Sequence, residues 1–134
     1  MIDIESELFT DIADALRSIH PGIYVAGEYV PQPPTFPAVS IVEMDNSVYQ
    51  QGVDSGAIEN FATVMYQVDV YSNLVRGKKA ECRDIIAHID SLFAQYGFTR
   101  MFLQPVPNFN EATIYRMTGR YRGVVSKDHV VYGR

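Results

Sequence analysis

The segment from Phe61 to Val125 constrains the fold of this chain more than any other. FATVMYQVDVYS alternates strictly: Val64, Tyr66, Val68 and Val70 share one face, and Thr63, Met65, Gln67, Asp69 and Tyr71 share the other. That pattern predicts a strand over 61–72 with one core face and one half-polar face. Asn73 to Gly77 makes a turn. In KKAECRDIIAHIDSLFAQYG the period changes to that of a helix, with Cys82, Ile85, Ile86, Ile89, Leu92, Phe93 and Tyr96 on one stripe and Gly97 at a left-handed cap position. Strands are predicted over 98–106, ended by Pro105 and Pro107, and over 111–125, with a turn at 108–110 between them. Packing accounts for every apolar residue in this run. What is left over is polar edges, arginines and loops, so the sequence points to a protein that works through its surfaces.

The remaining elements fit around this unit. Ile4, Leu8, Ile12 and Leu16, widened by Phe9, Ala13, Ala15 and Ile19, predict a helix over 3–19. Asp3 is placed to cap it, and His20-Pro21-Gly22 ends it. A strand is expected over 23–30, then a stiff connector, PQPPTFP, at an edge or across the surface. AVSIVEM (38–44) reads as a second strand, and Asp45 to Asn60 as a long loop or protruding hairpin rich in turn formers. A short strand over 130–132 closes the chain. The expected fold is α+β: a mainly antiparallel β-sheet with two α-helices packed on one face, plus the protruding loop or hairpin, in a single domain spanning 1–134.

Composition narrows the function. The chain has 134 residues, a net charge of −5 and 47% apolar residues, with a pI near 5.0. An acidic balance disfavours avid nucleic-acid binding, which needs clustered cations to neutralise phosphates. Nine tyrosines and seven phenylalanines supply buried area and polar handles for interfaces. One cysteine permits no internal disulfide, so a reducing cytosol is the default compartment. MIDIESELF lacks the apolar core of a signal peptide, and no stretch has the length of a membrane span.

Chemistry is sparse. Cys82 lies on the apolar stripe of its helix, where a cysteine acts as a small hydrophobe. His88 lies off that stripe and is expected to face solvent, and His20 and His129 sit beside turns. No histidine is spaced to pair with Cys82 or a serine, and no CxxC or HxxxH points to a metal, so catalytic, cofactor and metal residues are all expected to be none. Glu43 and Asp45 are candidates to approach Asp69 across strands, against the plainer reading of solvated strand-end carboxylates. Gly119 and Gly123 are expected to mark a bulge or a close backbone approach.

The sharpest polar signal is Arg116, Arg120 and Arg122 on one face of the last long strand, opposite Tyr115, Met117 and Tyr121. Three readings compete. The arginine stems cover a solvent face, they pair with acidic groups of a neighbouring subunit, or they contact DNA. Together with Val48, Tyr49, Val53 and Ile58 of the 45–60 loop, these arginines are the candidate subunit or tube interface.

The N-terminal helix, the Pro-rich passage into FPAVSIVEMDN, the phrase YQVDVYSN, the helix opening GKKAECRDI and the closing IYRMTGRYRGVV…HVVYGR together resemble the tail-terminator, or tail-completion, proteins of long-tailed bacteriophages. These are also described as minor capsid or head–tail joining proteins. The resemblance spans nearly the whole chain and includes no catalytic motif. It implies a virion structural protein, not an enzyme, that is assembled in the host cytoplasm. The protein would form a homo-oligomeric ring, usually a hexamer, that caps the tail tube protein and presents its other face to neck or connector proteins. DNA would pass through an acidic lumen without specific binding. The alternatives are a neck stopper binding the portal or adaptor, a small cytosolic enzyme or ligand-binding domain, and a nucleic-acid binder using the three arginines.

Overall fold

The computed structural model describes residues 1–48, 61–107 and 112–131. The elements in chain order are α1 (Glu5–Ile19), β1 (Tyr24–Ala26), β2 (Ala38–Val48), β3 (Phe61–Ser72), α2 (Lys78–Gln95), β4 (Thr99–Val106) and β5 (Tyr115–Ser126). The strands form one sheet in the order β1-β2-β3-β5-β4. Among the described residues the β1–β2 pair alone is parallel; β2–β3, β3–β5 and β4–β5 are antiparallel. The fold is therefore α+β.

Periodicity set the core. Leu8, Ile12, Ala13 and Leu16 of α1 are buried, as are Cys82, Ile85, Ile86, Ile89 and Phe93 of α2. They join Val64, Tyr66, Val68 and Val70 of β3 in one contiguous cluster. Each large apolar side chain removed from water this way contributes about 1.5–3 kcal/mol. Aromatic rings fill the end of the core nearest the α2 C-terminus. Phe93 stacks on Tyr121 with centroids 4.5 Å apart, and Phe98 meets Phe93 and Tyr66 edge-on at 5.4 and 5.7 Å. The hydroxyl of Tyr96 donates to Asp11, tying α2 to α1. No helix among the described residues is long and apolar enough to cross a membrane.

Several boundaries differ from the sequence expectation. The predicted strand over 23–30 is only Tyr24–Ala26. Gly27 weakens the strand and the proline-rich connector from Pro31 lacks donors for a ladder; the connector instead brings the chain back parallel, with Tyr24 N–H donating to Pro37 O. The Phe36–Pro37 peptide is cis. The second strand does not stop at Met44. It continues to Val48, pairing Asp45 through Val48 with Ala62 through Met65 after a register shift at Met44. Turn-forming residues were outweighed there by cross-strand hydrogen bonds and by local side-chain bonds, Ser47 Oγ to Asp45 Oδ2 at 2.7 Å and Asn46 Nδ2 to Ile2 O at 2.7 Å. The rest of the expected loop lies outside the described residues.

The glycine-linked irregularity also moved. β5 runs in unbroken register along β3, and the shift lies in the other partner, between Arg100 and Phe102 of β4. Gly123 does mark a close approach, but of a side chain. A Cβ there would lie 3.0 Å from the ring of Phe98. Of the expected final strand, Val131 forms an isolated bridge with Val125, and residue 132 lies outside the described residues.

Candidate assembly surface

The two helices and the core lie on the Tyr66 side of the sheet, leaving the other face to polar residues from β3 and β5. Antiparallel register brings them into rows: Tyr71 beside Arg116, Asp69 beside Thr118, Gln67 beside Arg120, and Met65 beside Arg122. Ser40 of β2 lies beside Asp69, and Phe102 of β4 beside Arg120.

Asp69 is the centre of this face, at 2% exposure. Its Oδ1 accepts from Arg116 Nε at 2.9 Å and lies 2.9 Å from the neighbouring guanidinium nitrogen. Thr118 Oγ1 donates to the same oxygen, and Gln67 Nε2 donates to Oδ2 at 3.1 Å. Gln67 Oε1 in turn accepts from Arg120 Nε at 3.0 Å. Burial alone would push the Arg116 guanidinium down, but the charge and hydrogen bond of Asp69 more than offset it, so its pKa is raised. Arg116 also lies 5.7 and 5.9 Å from the ring centroids of Tyr71 and Tyr29, and Arg120 lies 5.5 Å from that of Phe102. Tyr71 is buried beside this pair, and its hydroxyl has no hydrogen-bond partner among the described residues. Burial pushes its pKa up to about 12.

The three arginines thus divide. Arg116 is ion-paired with Asp69 within the chain, whereas Arg120 is hydrogen-bonded through Nε to the neutral Gln67 amide and keeps its charge. Arg122 alone is exposed. It lies in the row where Asp45, Met65 and Arg122 stand side by side across β2, β3 and β5, and β3 and β5 continue past it to Phe61 and Ser126. Asp45 is exposed as well. Val48 ends β2 at 44% exposure; Tyr49, Val53 and Ile58 lie outside the described residues. Sequence reasoning missed Asp69 and Gln67 as partners of the arginines. The signal was there in strand parity: residues 67 and 69 share a face, as do 116, 118 and 120, and a hairpin-like pair must match them.

The lesser alternative, in which Glu43 and Asp45 approach Asp69 across strands, does not occur. Glu43 is on the helix side, where it accepts from the Tyr66 hydroxyl at 3.3 Å. Asp45 is on the open face, paired with Met65 rather than in the row of Asp69. The bulge at Met44 separates the two carboxylates onto opposite faces. Cys82 is fully buried, with Sγ 3.7 and 3.6 Å from the carbonyls of Val70 and Tyr115. Its thiol is pushed up to about 12 by burial, with a smaller contribution from Glu81. Two shallow depressions lie against α2, one lined by Asp11 and Tyr96 and the other by Arg83 and Arg100; neither includes Asp69, His88 or Cys82.

The chain's outer edges are of two kinds. β1 is three residues long. β4 is longer but is blunted by its bulge and by Pro105, which has no N–H to offer. No protein-family model matches the chain, and no curated protein matches it.

Proposed function

We propose that this protein is a structural component of a phage virion: a tail terminator that forms a homo-oligomeric ring, stops growth of the tail tube and joins tail to head. The observation that carries the reading is the row Asp45–Met65–Arg122. It puts an exposed acid and an exposed base on one cross-strand line, two strand spacings or roughly 10 Å apart, with a half-buried methionine between them. Opposite charges at two ends of one patch suit a head-to-tail contact, in which Arg122 of one subunit meets Asp45 of the next. A head-to-tail contact closes into a ring when its rotation allows. The sequence resemblance supplies the ring's place at the end of a tail tube. The acidic balance, with Arg116 already paired with Asp69, disfavours DNA as the partner.

Size measurement and electron microscopy of the purified protein, with and without tail tube protein, test the reading. Rings, or capped tube ends, are expected; a strict monomer that never binds tube ends would sink it. The charge swap refines the test. Arg122→Asp is expected to abolish rings without unfolding the chain, and Asp45→Arg combined with Arg122→Asp to restore them. Gene deletion separates a terminator from a neck stopper: overlong or headless tails in the first case, DNA leaking from filled heads in the second.

A further inference from the structure

His20 follows the last turn of α1, and Asp84 and His88 lie one turn apart on α2. The fold brings them together. His20 Nε2 lies 3.0 Å from His88 Nδ1 and 3.8 Å from an Asp84 oxygen, and one ligand atom from each residue falls within 4.8 Å of the others. The two rings are tilted, not stacked, with centroids 5.1 Å apart, and one nitrogen of each is turned toward the other ring.

We propose that His20, Asp84 and His88 form a binding site for a divalent transition ion, with zinc the best fit. Two imidazoles and a carboxylate are the donor set of borderline-soft ions, and three protein ligands leave a position for water. Tetrahedral zinc with bonds of about 2.0–2.1 Å holds two ring nitrogens ~3.3 Å apart, so the His20–His88 spacing needs to open by only a few tenths of an ångström. Binding replaces the ring-to-ring hydrogen bond. Each imidazole then offers a lone pair to the metal and carries its proton on the far nitrogen, His20 Nδ1 and His88 Nε2, so neutral rings release no proton. The last carbonyls of α1 add a partial negative charge beside the site. His20 is half-buried and held in place by its backbone, whose N–H donates to Leu16 O at 2.7 Å and whose carbonyl accepts from Ile23 N–H at 3.1 Å. The ion would pin the end of α1 to the middle of α2, closing a long loop of chain. This inference rests on the fold and is independent of any role in a tail.

The test uses the full chain stripped with a chelator. Zinc is titrated against a coloured competing chelator, cobalt is followed by its visible absorption, and thermal unfolding is run with and without zinc. One equivalent is expected to bind, with the cobalt band of a low-coordinate site. Free zinc at 100 times the dissociation constant should raise the folded-to-unfolded ratio ~100-fold. Outer partners of metal sites are worth ~10–100-fold in affinity, so His20→Gln, His88→Gln and the solvent-exposed Asp84→Asn should each weaken binding at least that much, while His129→Gln leaves it unchanged. Asp84→Asn keeps the test decisive if a histidine variant fails to fold. Absence of stoichiometric binding, or undiminished binding by Asp84→Asn or by either folded histidine variant, overturns the proposal.

Discussion

Asp69 and Arg116 form an ion pair on the helix-free face of the sheet, with the aspartate at 2% exposure and its Oδ1 within 2.9 Å of two guanidinium nitrogens. They are 47 residues apart in the chain and meet because β3 and β5 are neighbours in register. Removing one partner of a buried pair strands the other charge without water, at a cost of about 3 kcal/mol or more. Arg116→Met is therefore expected to destabilise the protein by about that amount in urea unfolding. Arg116→Met combined with Asp69→Asn should recover most of the loss, because no charge is left buried. Equal losses in the single and double variants would show that the pair does not act as a unit.

Cys82 should be inert in the folded protein. Its thiol is fully buried and raised to about 12 by desolvation, so almost none is thiolate near pH 8. Labelling with a thiol reagent is expected to proceed only through opening of α2, and to become rapid in guanidinium. Native labelling at the unfolded rate would contradict the placement of this helix. Cys82→Ala, which leaves a small void, should cost about 1 kcal/mol.

Glu43 gives a signed dependence on pH. Burial, with help from the charges of Glu5 and Asp3, raises its pKa above 4.5 despite the opposing hydrogen bond from Tyr66. The folded state then holds this proton to higher pH than the unfolded chain does. The corresponding stability is fully present below the unfolded pKa and is lost as pH rises through the folded one. Glu43→Gln removes the titration. It is expected to stabilise the protein at neutral pH, by well under ~1 kcal/mol because the carboxylate is only partly desolvated, and to give no gain near pH 4. A variant that is equally more stable at both pH values would rule out this titration as the cause.

Gly123 is a packing glycine. An added Cβ would lie 3.0 Å from two Phe98 ring atoms, and Phe98 is wedged against Tyr66 and Phe93. Gly123→Ala should cost about 1–3 kcal/mol by overpacking. Shrinking the obstacle with Phe98→Leu should make the two changes less than additive, since they share one contact. Strict additivity in a double-mutant cycle would show that Phe98 is not what the methyl meets.

The two helices, the long central strand and their buried faces follow from local pattern. Period 3.6 in 78–95 and period 2 in 61–68 each mark one apolar face for the core, and burial of Phe93, Tyr66 and Val68 obeys it, whereas Asp69 and Tyr71 on the other face of β3 are buried as well. The placement of Cys82 on an apolar stripe was equally local. Pairing was not. The extension of β2 to Val48 depended on what Ala62 to Met65 offered it, and the bulge at Met44, invisible in composition, sent Glu43 and Asp45 to opposite faces. The arginines looked alike along β5, yet Asp69 and Gln67 claimed two of them and left Arg122 exposed. His20 and His88 carry no spacing signal, being 68 residues apart, and only the packing of α1 on α2 set their rings 3.0 Å from each other. Periodicity determines which side of an element faces the apolar core, because that is decided within a turn or a strand. Which residues meet across elements is decided by register and helix packing, which depend on the whole chain at once.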